Sequence, residues 1–429
     1  MPKARESHQQ NHHWYKLDNA AKIYPATSQR HWNSTFRMSV VLDEPVDGET
    51  LAQAVRDLRG RFPTFYVQLR TGVFWYYFEP TYSEQIVGEE RLYPCAPIEI
   101  GHSDLPVFRV VYYKSRISVE LFHAAADGTG ALVFLKTLAM HYLSLRGVDV
   151  EDARWSLADP RGKPLASEAE DGFMRWYQKT SGVSRAEPKA YHYKVRRPAG
   201  DGYLRVISGK MSAAAVHAAA QKRGATVTQY LAAQYIRAFI ACTPQSKLKR
   251  PVRISVPVNL RRFFPSDTLR NFSLYVNAGV ASPKPEMTLD DILAEIVPQL
   301  RDGFESASLQ RAFSKNVAAE RNFALRLAPL FLKNLALKIA FLKYGESRYT
   351  SALSNIGVVS LPDCVAAHVK SVEFALGCSP ALALMLAAAT FRDTLCLTFT
   401  SRSPESEVQA RFFGFLKDEG IEIEVESNE

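Results

Sequence analysis

Apolar residues recur along this chain with two different periods, and the two alternate. From Asp47 the positions Leu51, Ala54, Val55 and Leu58 fall at i, i+3, i+4 and i+7. That spacing predicts a helix capped by the Asp47 side chain and stopped before Pro63. Runs rich in aromatic and β-branched residues follow at 64–70 and 73–78, and Thr71-Gly72 between them predicts a tight hairpin. The second run is aromatic on both faces, so it is expected to be covered on both. Strands are also expected at 108–113 and 117–122, turned by Lys114-Ser115. Helical spacing then resumes at Ala131, Leu135, Leu138, Ala139 and Tyr142.

Between 151 and 205 the pattern fades. Pro160, Pro164, Pro188 and Pro198 stand among charges, which predicts a crossover with one short helix near Phe173. Periodicity returns with Ser212 capping a helix ended by Gly224, and Thr226-x-x-Gln229 has the spacing of a capping box for the next. Strands are expected at 252–258, 271–278, 369–374, 381–389, 395–400 and 421–425. Helices are expected over most of 289–344, with kinks or breaks at Pro298 and Pro329, and over 405–419. No stretch of 20–50 residues repeats, which excludes a solenoid. The order predicts a mixed α/β protein of two similar-sized halves, 1–150 and 206–429, joined by the 151–205 crossover.

Composition narrows the class without naming a function. The chain has 429 residues, 47% hydrophobic and 23% charged, which is ordinary globular usage. Lys+Arg minus Asp+Glu is 53 − 44 = +9, spread without a basic run, so no nucleic-acid partner is expected. Cys95, Cys242, Cys364, Cys378 and Cys396 lack zinc or redox spacing and read as small apolar side chains in a reducing compartment. The first twenty residues lack the apolar stretch of a signal peptide, and the longest strongly apolar run, 380–391, is too short to span a bilayer. A cytoplasmic protein is therefore expected.

The most informative hexapeptide is His123-x-x-x-Asp127-Gly128. It lies where a strand ends and a helix begins. Gly128 permits a sharp turn and close backbone approach, and Asp127 can turn away and pin the loop while the imidazole faces a cleft. A histidine with a pKa of about 6.5 keeps its neutral, proton-accepting form abundant near neutral pH. The stretch from Leu121 to Ala131 resembles the H-x-x-x-D-G signature of the acyl-CoA-dependent acyltransferase superfamily. That superfamily includes chloramphenicol acetyltransferase, plant BAHD acyltransferases, condensation domains of non-ribosomal peptide synthetases and alcohol acetyltransferases. Further blocks agree in order: Lys222 to Val227, Val256 to Arg261, Asn271-Phe272, and Ser354-Asn355-Ile356-Gly357. The opening Trp14-Tyr15-Lys16-Leu17-Asp18-Asn19-Ala20 is similar to that of the bacterial alcohol acetyltransferase-like group.

This resemblance implies two chloramphenicol-acetyltransferase-like halves with a channel between them and His123 at mid-channel. It implies acyl transfer, acetyl in the first instance, from CoA or an acyl carrier protein thioester to an alcohol, with no tightly bound cofactor. Asp127 belongs to the catalytic motif in a structural role, paired with an arginine of the second half: Arg261, or failing that Arg262. Ser354 and Asn355 are the oxyanion candidates by block position. Two departures bear on the branch. Phe122 stands where condensation domains carry a second histidine, and the D-F-G-W-G segment of plant BAHD enzymes is absent. A catalytically silent module that docks a carrier protein, and an N-acylating or condensing enzyme, are the alternatives. His12-His13 has no third ligand nearby for a metal. Residues 321–343 are basic and apolar, but on a helical wheel their charges do not gather on one face. That favours helices packed around the channel over a membrane-surface segment.

Overall fold

The computed structural model describes residues 14–101, 104–151, 158–179, 187–194, 200 and 202–429. The chain runs β1 (Tyr15–Lys16), α1 (Ile23–Thr27), β2 (Thr35–Leu42), α2 (Gly48–Asp57), β3 (Val67–Thr71), β4 (Tyr76–Pro80), β5 (Val87–Glu89), β6 (Phe108–Tyr113), β7 (Arg116–Phe122) and α3 (Gly128–Leu145). After α4 (Gly172–Arg175) come β8 (Arg205–Ser212), α5 (Ala213–Gln221), α6 (Val227–Ala241), β9 (Val252–Asn259) and β10 (Ser273–Val280). Four helices follow: α7 (Leu289–Gly303), α8 (Ser306–Arg321), α9 (Phe323–Leu327) and α10 (Leu330–Ala340). The chain closes with β11 (Ser351–Val358), α11 (Asp363–Ala366), β12 (Val369–Leu376), β13 (Leu384–Phe391), β14 (Thr394–Ser401), α12 (Glu407–Asp418) and β15 (Glu424–Ser427).

Two mixed sheets organise these elements. One has the order β12-β2-β7-β6-β5 and the other β10-β9-β11-β13-β14-β8-β15; a small third sheet, β1-β4-β3, lies apart from both. Each large sheet is covered by its own core. Leu51, Ala54, Val55 and Leu58 of α2 and Phe134, Leu135 and Leu138 of α3 pack on the first, and Tyr235, Phe239 and Phe412 of α6 and α12 on the second. The sheets share strands across the chain: β12 leaves the second half to pair antiparallel with β2, Phe374 opposite Met38.

Local chemistry accounts for where the helices start. Asp47 accepts from the Thr50 amide at 2.7 Å, Ser212 from Ala215 at 3.2 Å, and Thr226 and Gln229 close a reciprocal capping box. Pro298 sits inside α7, whereas Pro329 immediately precedes α10 and ends the turn before it. The tight hairpin expected at Thr71-Gly72 is a wider one. Thr71 pairs with Tyr76, and Gly72 through Trp75 form the loop. Val73, Phe74 and Trp75 are thus not a covered strand; Val73 is 73% exposed. Aromatic content suggested a strand, but the ladder register places these three residues beyond its end.

Candidate active site

His123 lies just past the end of β7, in the loop that Asp127 ties to α3. The His123 amide donates to the Ser34 carbonyl at 2.8 Å, which fixes the backbone against the start of β2. Its ring stacks on Tyr24 of α1 with centroids 4.6 Å apart and tilts against Phe36. His123 as a whole residue is half-buried, whereas its neighbours Phe122 and Ala124 are wholly buried. Phe122 belongs to an apolar cluster with Val67, Leu69 and Phe78, so the position before His123 faces packed core.

One partner of the ring comes from the far side of the molecule. Nδ1 lies 3.0 Å from Oδ1 of Asn271, just ahead of β10. The amide of Asn271 can be oriented in only one way. Its Nδ2 donates to Asp18 Oδ2 at 3.2 Å and to the Ala124 carbonyl at 3.3 Å, and a carbonyl can only accept. Oδ1 must therefore face the imidazole, so Nδ1 carries the proton and Nε2 keeps its lone pair. Among the described residues Nε2 makes no hydrogen bond. Burial pushes the His123 pKa below the ordinary imidazole value. Hydrogen bonds to its own backbone and to Asn271, and the carboxyls of Asp127 and Asp18, act in the opposite direction. Asp18 is itself fully buried and held by the Ala21 amide at 2.8 Å, with Arg270 at 3.7 Å.

Asp127 faces away from the ring. Oδ1 caps α3 by accepting from Thr129 and Gly130, each at 3.1 Å. Oδ2 accepts from Arg261 Nη1 at 2.7 Å and from the Phe272 amide at 2.8 Å. The same arginine donates to the carbonyls of Thr268 and Arg270, so one guanidinium binds the α3 cap to the turn that carries Asn271. Arg262, the backup partner, is exposed. The close backbone approach expected at Gly128 falls at Gly130 instead, where a Cβ would overlap the Leu269 carbonyl. At Gly128 it would meet only side-chain atoms, Met38 Cε at 3.3 Å and Ile356 Cγ2 at 3.7 Å.

The oxyanion candidates separate. Asn355 is committed at both ends of its amide, Nδ2 to Thr228 at 3.1 Å and Oδ1 to the Gly357 amide at 2.8 Å. Ser354, the preceding residue of β11, points to the opposite face of the strand from Asn355. The cysteines are poor nucleophiles: burial pushes Cys378 and Cys396 up to about 12. His12-His13 falls outside the described residues. Sequence reasoning missed Tyr24 and the roles of Asp18 and Asn271. The blocks that hold Asp18 and Asn271 stood out, but nothing local says that residues 253 positions apart meet.

No protein-family model and no curated protein matches this chain. Solved structures do. TRI101 of F. sporotrichioides, complexed with coenzyme A and T-2, superposes with a TM-score of 0.61 at 13% identity over 96% of this chain and 99% of that one. The starter condensation domain of the rhizomide synthetase RzmA gives 0.57 at 14% identity, covering 94% of each chain. Polyketide synthase associated protein 5 from Mycobacterium tuberculosis gives 0.55 at 14%, covering 94% and 96%. The chain has the two-lobed fold of CoA-dependent acyltransferases and condensation domains. In this acyltransferase–condensation fold His123, Asn271 and Asp127 stand where elements of the two large sheets meet.

Proposed function

We propose that the protein transfers an acyl group, acetyl in the simplest case, directly from a CoA thioester to an alcohol hydroxyl, with His123 as general base. The reading rests on an imidazole whose Nδ1 is held by Asn271 and whose Nε2 is unengaged among the described residues. Nε2 takes the proton from the acceptor hydroxyl as its oxygen attacks the thioester carbonyl. The tetrahedral oxyanion then collapses, the carbon–sulfur bond breaks, and the imidazolium returns the proton to the leaving thiolate. Ser354, carried by its place in the resembling block, is the candidate donor to the oxyanion. No acyl-enzyme forms, in keeping with thiols that stay protonated. A lowered pKa suits the first step, because the ring is neutral at physiological pH.

The test is free thiol released from acetyl-CoA in the presence of a panel of alcohols and the corresponding amines. Acceptor-dependent release is expected with alcohols. Release that no acceptor accelerates would leave the silent docking module as the better account.

Asn271 is a positioning residue in this scheme. Asn271→Ala is expected to lower kcat by about 10–100-fold, the cost of one hydrogen bond of about 1–3 kcal/mol, with KM little changed. Because Asn271 favours the protonated ring, its loss should move the acid limb of the kcat/KM profile to lower pH. A merely structural role would reduce the yield of folded protein and leave that limb in place.

A further inference from the structure

Residues 321–343 contain Arg321, Arg326, Lys333, Lys338 and Lys343 and no acidic residue. In the structure their helix α10 is apolar on two faces. Leu330, Asn334 and Leu337 recur on the inner face. Leu330 is buried, the other two are half-buried, and Asn334 Nδ2 donates to the Tyr76 hydroxyl at 2.7 Å. Phe331, Leu335 and Ile339 recur at i, i+4 and i+8 on the outer face, 69%, 58% and 53% exposed. The outer face explains why the charges do not gather on a wheel: one apolar stripe anchors the helix, the other is turned to solvent, and Lys338 stands at its margin. The loop between β3 and β4 packs against the N-terminal end of α10. Its Val73 carbonyl accepts from the Leu330 amide at 2.9 Å and its Phe74 carbonyl from Lys333 Nζ at 2.8 Å, which brings exposed Val73 and Trp75 alongside.

We infer that this ridge seats the protein on an anionic lipid surface. Phe331, Leu335, Ile339 and Trp75 enter the acyl boundary, with Arg326 and Lys338 at the headgroups. The ridge is a convex helix whose backbone bonds are satisfied internally, so its outer stripe offers apolar contact bordered by positive charge. That matches a bilayer of negative headgroups over hydrocarbon better than a partner surface that would need hydrogen bonds. An indole beside it is the side chain that favours the boundary between water and lipid. α10 also packs on α1, whose Tyr24 stacks on His123, so the membrane would lie one helix away from the ring. The seating itself is independent of the reaction proposed above.

Sedimentation of the full chain with extruded vesicles tests it. The protein is expected to pellet with vesicles of phosphatidylglycerol and phosphatidylcholine, and weakly with phosphatidylcholine alone. Phe331→Asp with Leu335→Asp should lower the partition coefficient about tenfold or more, and Lys338→Ala about fivefold on the anionic vesicles only. Both variants alter exposed positions and should keep the wild-type circular-dichroism melt. Wild-type protein that stays in the supernatant at low salt, or a double variant that pellets like wild type, overturns the inference. So does a wild-type dimer by analytical ultracentrifugation that the double variant converts to monomer while vesicles are ignored. That outcome would assign the ridge to a second copy of this chain.

Discussion

His123→Ala is expected to lower acceptor-dependent thiol release by about 10²–10⁴-fold, the usual reach of general-base catalysis, while the fold survives. The rate loss corresponds to about 3–5 kcal/mol of transition-state stabilisation. Survival follows from how the ring is held. Its side-chain partner among the described residues is Asn271, and Asn271 keeps Asp18 and the Ala124 carbonyl when the ring is gone. No buried charge is orphaned. The wild-type pH profile is a further check. Activity requires the neutral ring, and burial holds its pKa below the ordinary imidazole value, so kcat/KM should fall only as pH drops through a value below that norm. A His123→Ala protein as active as wild type, with an unchanged melt, would sink the assignment.

Arg261→Met is expected to act on stability first and on activity through it. The guanidinium and the Asp127 carboxylate retain side-chain exposures of 11% and 4%, and their contact is 2.7 Å. Removing the cation leaves a buried carboxylate whose remaining partners are amides, and it frees the carbonyls of Thr268 and Arg270. Breaking one member of such a pair typically costs about 3–5 kcal/mol, read here as a loss of unfolding free energy in urea. Arg262→Met, one residue away and exposed, should change stability by no more than about 0.5 kcal/mol. An Arg261→Met protein as stable as the Arg262→Met control would show that the Asp127 pair does not hold the loop together. A side chain that pins a loop and one that moves a proton are thereby separable by experiment.

What was legible in the sequence is what short-range physics determines. The caps Asp47, Ser212 and Thr226 were readable because a capping side chain reaches only two or three residues ahead. The strand–turn–helix around His123 was readable for the same reason, and the Asp127–Arg261 contact followed from a resemblance over several blocks. The missed features depend on distance or register. β2 lies inside the first sheet, and its run alternates Phe36, Met38, Val40 and Leu42 with Thr35, Arg37 and Ser39, whose polar face is nonetheless buried. Glu120 across the ladder partners Arg37 at 2.7 Å, and Ser118 partners Ser39 at 2.8 Å. The width of the hairpin after Thr71 is set by its partner strand, which composition does not report. The outward stripe of α10 was masked because leucines on two faces of one helix read as a single core.

The migration of β12 has a bearing on biogenesis. Until residue 376 has left the ribosome, β2 presents an unpaired apolar edge, the template that stray strands join. The sheet whose strand leads to His123 is completed only by residues 369–376 of 429, so the nascent N-terminal part spends most of synthesis unfinished. Such a chain has reason to engage chaperones early, and a truncation that removes β12 would damage residues encoded hundreds of codons upstream.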